Sequence, residues 1–75
     1  IYIQERRKQM IQTFRFVLNK RKNKICVYVK GLGLIAEFDA KQYEGEIEHM
    51  FRKSNSVKVL GKIINGRIEI CKIYS

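Results

Sequence analysis

Apolar and polar residues alternate with a period of two through most of the chain, and one stretch switches to a helical period. "KICVYVKG" sets Ile25, Val27 and Val29 against Cys26, Tyr28 and Lys30, the pattern of a strand with one buried face. "GLG" (Gly31 to Gly33) supplies a turn, and "LIAEFD" reads as the second strand of a hairpin. "AKQYEGEIEHMFRKS" then places Tyr43, Ile47, Met50 and Phe51 at i, i+4, i+7 and i+8, one apolar stripe along a helix. Asp39 is its candidate N-cap, the early glutamates suit its positive end, and Arg52 and Lys53 suit the other. Gly45 weakens such a helix by about 1 kcal/mol relative to Ala, so it depends on packing.

"SVKVLGKIINGRIEICKIYS" returns to strands. Val57, Val59 and Ile63 alternate with Lys58 and Lys62, with Gly61 expected at a bulge. Asn65-Gly66 is a hairpin signal, because a type I′ turn needs positive φ at both central residues. Ile68 and Ile70 then alternate with Arg67 and Glu69. Continued parity would turn Lys72 inward, so a phase change near Cys71 is expected to bring Ile73 in instead. The N-terminal third supports two readings. Met10, Ile11, Phe14, Val17 and Leu18 have helical spacing within 4–20, whereas Phe14, Phe16 and Leu18 alternate as in a strand. Aromatic and β-branched enrichment favours a strand over 12–19, preceded by a basic arm or short helix over residues 1–11.

The predicted order is strand, basic loop, strand, Gly turn, strand, helix, strand, Asn-Gly hairpin, strand. Five strands with one short helix between the third and fourth is the order of an OB-fold, a mainly β, five-stranded Greek-key barrel. The alternative is a small α+β domain with an N-terminal helix. "GLGLIAEFDAKQYEGEIEHMFRKSNSVKVLGKIINGRIEI" also resembles the anticodon-binding-type OB domains of some tRNA synthetases and bacterial replicative DNA polymerases. Gly33, Phe38, Tyr43, Val57, Val59, Gly61 and Ile63 carry the likeness, which spans roughly residues 12–73. One position departs from it: Lys30 stands where the family often has Asp. The resemblance also implies a core position for Tyr28, where the family usually has Leu, although strand parity turns Tyr28 outward.

Seventy-five residues make one domain, near the lower limit for a self-sufficient core, and the absence of Met at position 1 suggests a piece of a longer chain. An apolar content of 45% fits a folded domain. No apolar run approaches the ~20 residues of a membrane span, so no membrane partner is expected. Charge changes the picture most. The formal net charge is +9, and it is segregated: nine cations and no anion occur from Arg6 to Lys30, whereas five anions face only Lys41 from Glu37 to Glu48. Solubility does not need that segregation, and a polyanionic partner does. Cys26 and Cys71 lack metal-site spacing and read as buried free thiols, which favours the cytoplasm.

OB-folds bind single strands across their second and third strands, between the loop joining strands one and two and the loop joining strands four and five. Those loops are "KRKNK" and "INGR" here. Lys20, Arg21, Lys22 and Lys24 are therefore expected on one wall and Arg67 on the other, with Arg15 and Lys30 as further phosphate contacts. Tyr28 is the candidate stacking residue, whereas Phe14, Phe16 and Phe38 are assigned to the core. Lys58 and Lys62 are read as a solvated face, and Tyr74 fits either role.

Catalysis finds no constellation. His49 is the only histidine and has no neighbouring cysteine; Glu44, Glu46 and Glu48 scatter around a helix; "GLG" lacks the rest of a phosphate-binding loop. No cofactor or metal is expected. The expected function is therefore non-catalytic binding of single-stranded DNA or RNA within a larger protein. The alternative is a structural or protein-docking module of a nucleoprotein assembly, with other domains or subunits as its partners.

Overall fold

The computed structural model describes residues 11–74. The basic arm expected over residues 1–11 lies outside the described residues except for Ile11. Five strands follow: β1 (Gln12–Asn19), β2 (Lys24–Val29), β3 (Gly33–Asp39), β4 (Ser56–Ile64) and β5 (Arg67–Tyr74). Between β3 and β4 come a 3-10 turn (Ala40–Tyr43) and a short helix, α1 (Glu44–Met50). The strands form one antiparallel sheet in the order β3-β2-β1-β4-β5. It is open, because among the described residues no backbone pairing joins β3 to β5.

The helical alternative for 12–19 fails. Phe14 and Phe16 are both fully buried while Val17 lies only half-buried, a period of two. They meet Ile25 and Val27 from β2, Val57 and Val59 from β4, and Ile68 from β5 on one face of the sheet. Tyr43 and Met50 complete that core from the connection, with Ile47 and Phe51 packed partly against it, so the apolar stripe works as expected. The helix itself is shorter than its stripe. Asp39 caps the 3-10 turn, where its N–H donates to Gln42 Oε1 at 3.2 Å, and regular α-helix begins only at Glu44.

The Asn-Gly hairpin forms as its residues require. Asn65 has φ 51° and Gly66 φ 79°, both left-handed, as a type I′ turn demands. Further along β5, Lys72 faces Leu60 and Ile70 faces Gly61, so Cys71 is the extra residue of a bulge. That bulge is the expected phase change, and it sets Ile73 opposite buried Val59 while turning Lys72 and Tyr74 outward. Gly61 sits beside the bulge because β5 comes too close for a side chain: a Cβ there would lie 2.6 Å from the Glu69 carbonyl oxygen. Ile63, expected inside, is 44% exposed. β4 pairs with β1 only as far as Gly61, so Ile63 extends past the described end of β1 with β5 as its one strand neighbour.

Tyr43 spans the gap between the two outer strands. Its ring meets Phe38 of β3 and Phe16 of β1 edge-on, with centroids 5.7 and 5.6 Å away. Its hydroxyl accepts from the Ile68 N–H at 3.0 Å and donates to the Ile68 carbonyl at 3.1 Å. The geometry follows from the hairpin. In a two-residue turn the flanking pair, Ile64 and Arg67, bonds across the ladder, so the next residue, Ile68, points its backbone groups toward the free edge. One side chain thus satisfies a backbone that a sixth neighbour would otherwise have to meet.

Candidate nucleic-acid interface

The register of the sheet lines up one residue from every strand. Leu34 pairs with Tyr28, Tyr28 with Arg15, Arg15 with Lys58, and Lys58 with Tyr74. Directly opposed residues in an antiparallel sheet point to the same face. Arg15, Tyr28, Lys58 and Tyr74 have parity opposite to their inward neighbours, Leu34 joins them through the register shift that leaves Ile35 as an extra residue of β3, and all five are exposed. The result is a continuous row across the outer face that reads apolar, aromatic, cation, cation, aromatic.

The centre of the row is concave. Thr13, Phe14, Arg15, Tyr28, Val29, Lys30 and Lys58 line a groove of about 570 Å³. Arg15 is held in place because its Nη1 donates to Ser56 Oγ at 2.8 Å. At the β5 end, Lys58 Nζ lies 5.5 Å and Lys72 Nζ 5.2 Å from the centre of the Tyr74 ring. Such cation–π contacts orient both lysines without neutralising them. The ion pair formed among the described residues is Lys62 with Glu69 at 3.7 Å, and no described carboxylate reaches Arg15, Lys30, Lys58 or Lys72. Four cations that no described carboxylate pairs therefore border two exposed tyrosines.

The sequence-derived site residues divide into two groups. Arg15, Tyr28 and Lys30 come together in the groove. Lys20, Arg21 and Lys22 form the exposed β1–β2 turn, with Lys24 half-buried at the start of β2. That turn is rigidly made: Asn23 adopts φ 57°, Lys22 N–H donates to Asn19 Oδ1 at 3.3 Å, and Ala40 N–H donates to the Asn23 carbonyl at 3.0 Å. Arg67 lies against the connection, its guanidinium 4.9 Å from the Tyr43 ring centre and its Nη2 3.4 Å from the Gln42 carbonyl. The basic turn and Arg67 thus both abut the 3-10 turn, outside the groove lining.

Lys58 and Lys72 are residues that the sequence did not mark as site members, and Tyr74 is one whose role it left open. Parity does turn Lys58 outward, opposite to Val57 and Val59, but only the pairing of β4 with β1 sets it beside Arg15. Tyr28 is outward, as its parity indicates, and not in the core position that the family resemblance implies.

Neither thiol is fully buried, and they do not pair. Cys71 is the exposed bulge residue of β5, while Cys26 lies half-buried on β2, with two strands between them in the sheet order. The Cys26 Sγ lies 3.6 Å from Glu37 Oε2 on neighbouring β3. Desolvation pushes the Cys26 thiol above its ordinary range, and the hydrogen bond and charge of Glu37 add to the rise, against a smaller opposing effect of Lys22.

Among the described residues no three His, Cys, Asp or Glu side chains converge as metal ligands, and no helix is long and apolar enough to cross a membrane. No family model, curated protein or solved structure matches the chain.

Proposed function

We propose that the chain is an OB-like module that binds single-stranded DNA or RNA on the outer face of its sheet. The observation that carries this reading is the in-register row in which Tyr28 and Tyr74 flank Arg15 and Lys58. Single-strand binding needs both parts: cations that neutralise phosphates and release counterions, and aromatic faces on which bases stack. The strand order supports the fold side of the reading. β3-β2-β1-β4-β5, with its outer strands parallel to each other, is the order that a five-stranded Greek-key barrel would have if parted between those two strands, and Tyr43 contacts both of them. The basic β1–β2 turn extends the positive surface beyond the groove. Catalysis plays no part in this reading.

Fluorescence anisotropy of a labelled oligothymidylate and oligouridylate, titrated at several salt concentrations, tests it. With three or four phosphate contacts the slope of log K against log salt is roughly −2 to −3 for a single strand. Arg15→Glu reduces affinity and flattens that slope. Absence of binding to either oligomer at low salt rejects the reading. It would then leave the second one, a docking module in a nucleoprotein assembly, which the exposed Leu32, Leu34 and Ile35 at the β3 edge favour.

A further inference from the structure

Resting on the reading above, we infer that the strand crosses the sheet from β2 to β5, with one base on Tyr28, another on Tyr74, and a site about four nucleotides long. The row fixes this length. Tyr28, Arg15, Lys58 and Tyr74 occupy four adjacent strands, so three cross-strand steps separate the two rings. Each step is about 4.5–5.5 Å, which makes roughly 15 Å. A single strand with splayed bases advances about twice the stacked 3.4 Å rise per nucleotide. Two tyrosines at this separation therefore receive bases two to three positions apart, and the phosphates between them run over Arg15 and Lys58.

The two ends of the row differ in a way that supports this path. Tyr28 borders the groove, whose walls are Arg15, Lys30 and Lys58, so a base there is partly enclosed. Tyr74 lies exposed on the edge strand with the Lys58 and Lys72 ammonium groups over its ring at cation–π distance, so a base that stacks there displaces an ammonium toward the phosphate. A base stacked on Tyr74 brings its own phosphate toward ammonium groups already gathered at the ring. The path leaves aside Arg67, which is engaged on Tyr43 and Gln42, and makes the basic β1–β2 turn a peripheral contributor. Nothing in the row reads a base edge from a fixed donor or acceptor pair, so the site is tolerant of sequence.

The test is a length series of labelled oligothymidylates, from the dinucleotide to the octanucleotide, against the wild type, Tyr28→Ala, Tyr74→Ala, Tyr74→Phe and Lys22→Glu. Intrinsic affinity is expected to rise by tenfold or more from two to four nucleotides and to level off beyond. Loss of one stacked base weakens the tetranucleotide by about 5- to 150-fold. Tyr28→Ala and Tyr74→Ala should each fall in that range with an unchanged salt slope, and Tyr74→Phe should restore binding because the ring is kept. Tyr74→Ala should barely affect the dinucleotide, which needs only one platform. Tyr74 is an exposed edge residue, and far-UV circular dichroism checks that each variant folds. If no oligonucleotide binds the wild type, the proposed function itself fails. If the longer oligomers bind but Tyr74→Ala leaves the tetranucleotide unaffected while Lys22→Glu weakens it, the function stands and the cross-sheet path is overturned.

Discussion

Tyr43→Phe isolates the one hydroxyl that joins the connection to the free edge of β5. The substitution keeps the ring, and with it the edge contacts to Phe16 and Phe38 and the Arg67 guanidinium above it. It removes both hydrogen bonds to Ile68, a residue only 2% exposed. One buried N–H and one buried carbonyl are left without a partner, and each such group costs about 1–3 kcal/mol. Allowing for partial relaxation, the loss should be roughly 2–4 kcal/mol. A chain of this length has a total stability of roughly 4–11 kcal/mol, so the change is a large fraction of the whole. In thermal unfolding followed by circular dichroism, Tm should fall on the order of 10–30 °C. The midpoint in urea should fall with an unchanged slope, because the surface exposed on unfolding stays the same. Tyr28→Phe on the outer face is the control and should shift stability by less than about 0.5 kcal/mol. Amide exchange at Ile68 gives a local readout and should accelerate in the Tyr43→Phe variant beyond the change at Val57 or Val59. A stability loss no larger than the control's would refute the reasoning, because it would mean that water already meets the Ile68 backbone and that Tyr43 does not cover the edge of β5.

Three further predictions follow from the same geometry. Gly61→Ala should destabilise the fold by about 1–3 kcal/mol in chemical denaturation, since its Cβ would lie 2.6 Å from the Glu69 carbonyl oxygen and only backbone movement relieves that. Gly66→Ala, at φ 79° in the hairpin, should cost about 1–2 kcal/mol from the left-handed backbone alone; equal stability of variant and wild type would contradict a type I′ turn. Glu37→Gln, in a Cys71→Ser background, should shift the pH dependence of Cys26 alkylation to lower pH. The raised thiol pKa keeps Cys26 protonated to higher pH, and removing the charge of Glu37 takes away its electrostatic share of that rise while desolvation remains. A pH profile identical to that of the Glu37 protein would show that the Glu37 charge does not contribute to the rise.

How much of this was legible beforehand follows from the range of each interaction. Period-two alternation settled which side chains of β1, β2 and the first half of β4 enter the core, because facing is a local property of an extended backbone; Ile63, past the end of β1, has the inward parity but stays exposed. Asn65-Gly66 determined its own turn, since few residues accept positive φ in succession. Even the phase change at Cys71 could be read, because otherwise Lys72 would be buried and Ile73 exposed. The charge segregation was likewise visible as a linear fact. Register was not. Whether Lys58 lies beside Arg15, and Tyr74 beside Lys58, depends on how far each strand slides along its neighbour, and a shift of two residues preserves every facing while dissolving the row. Loop proximity was also out of reach. Lys20 to Lys24 and Arg67 could be named as two basic loops, but only the folded chain sets Arg67 on the Tyr43 ring, through a contact that spans 24 residues in sequence. Tyr43 itself was legible as one more apolar position on a helical stripe. Its second role needed the tertiary structure, because the backbone groups it satisfies belong to a strand whose free edge exists only once the sheet order is set. Local sterics and periodicity thus determined the elements and their faces, while pairing across long sequence separations decided which outward residues became neighbours.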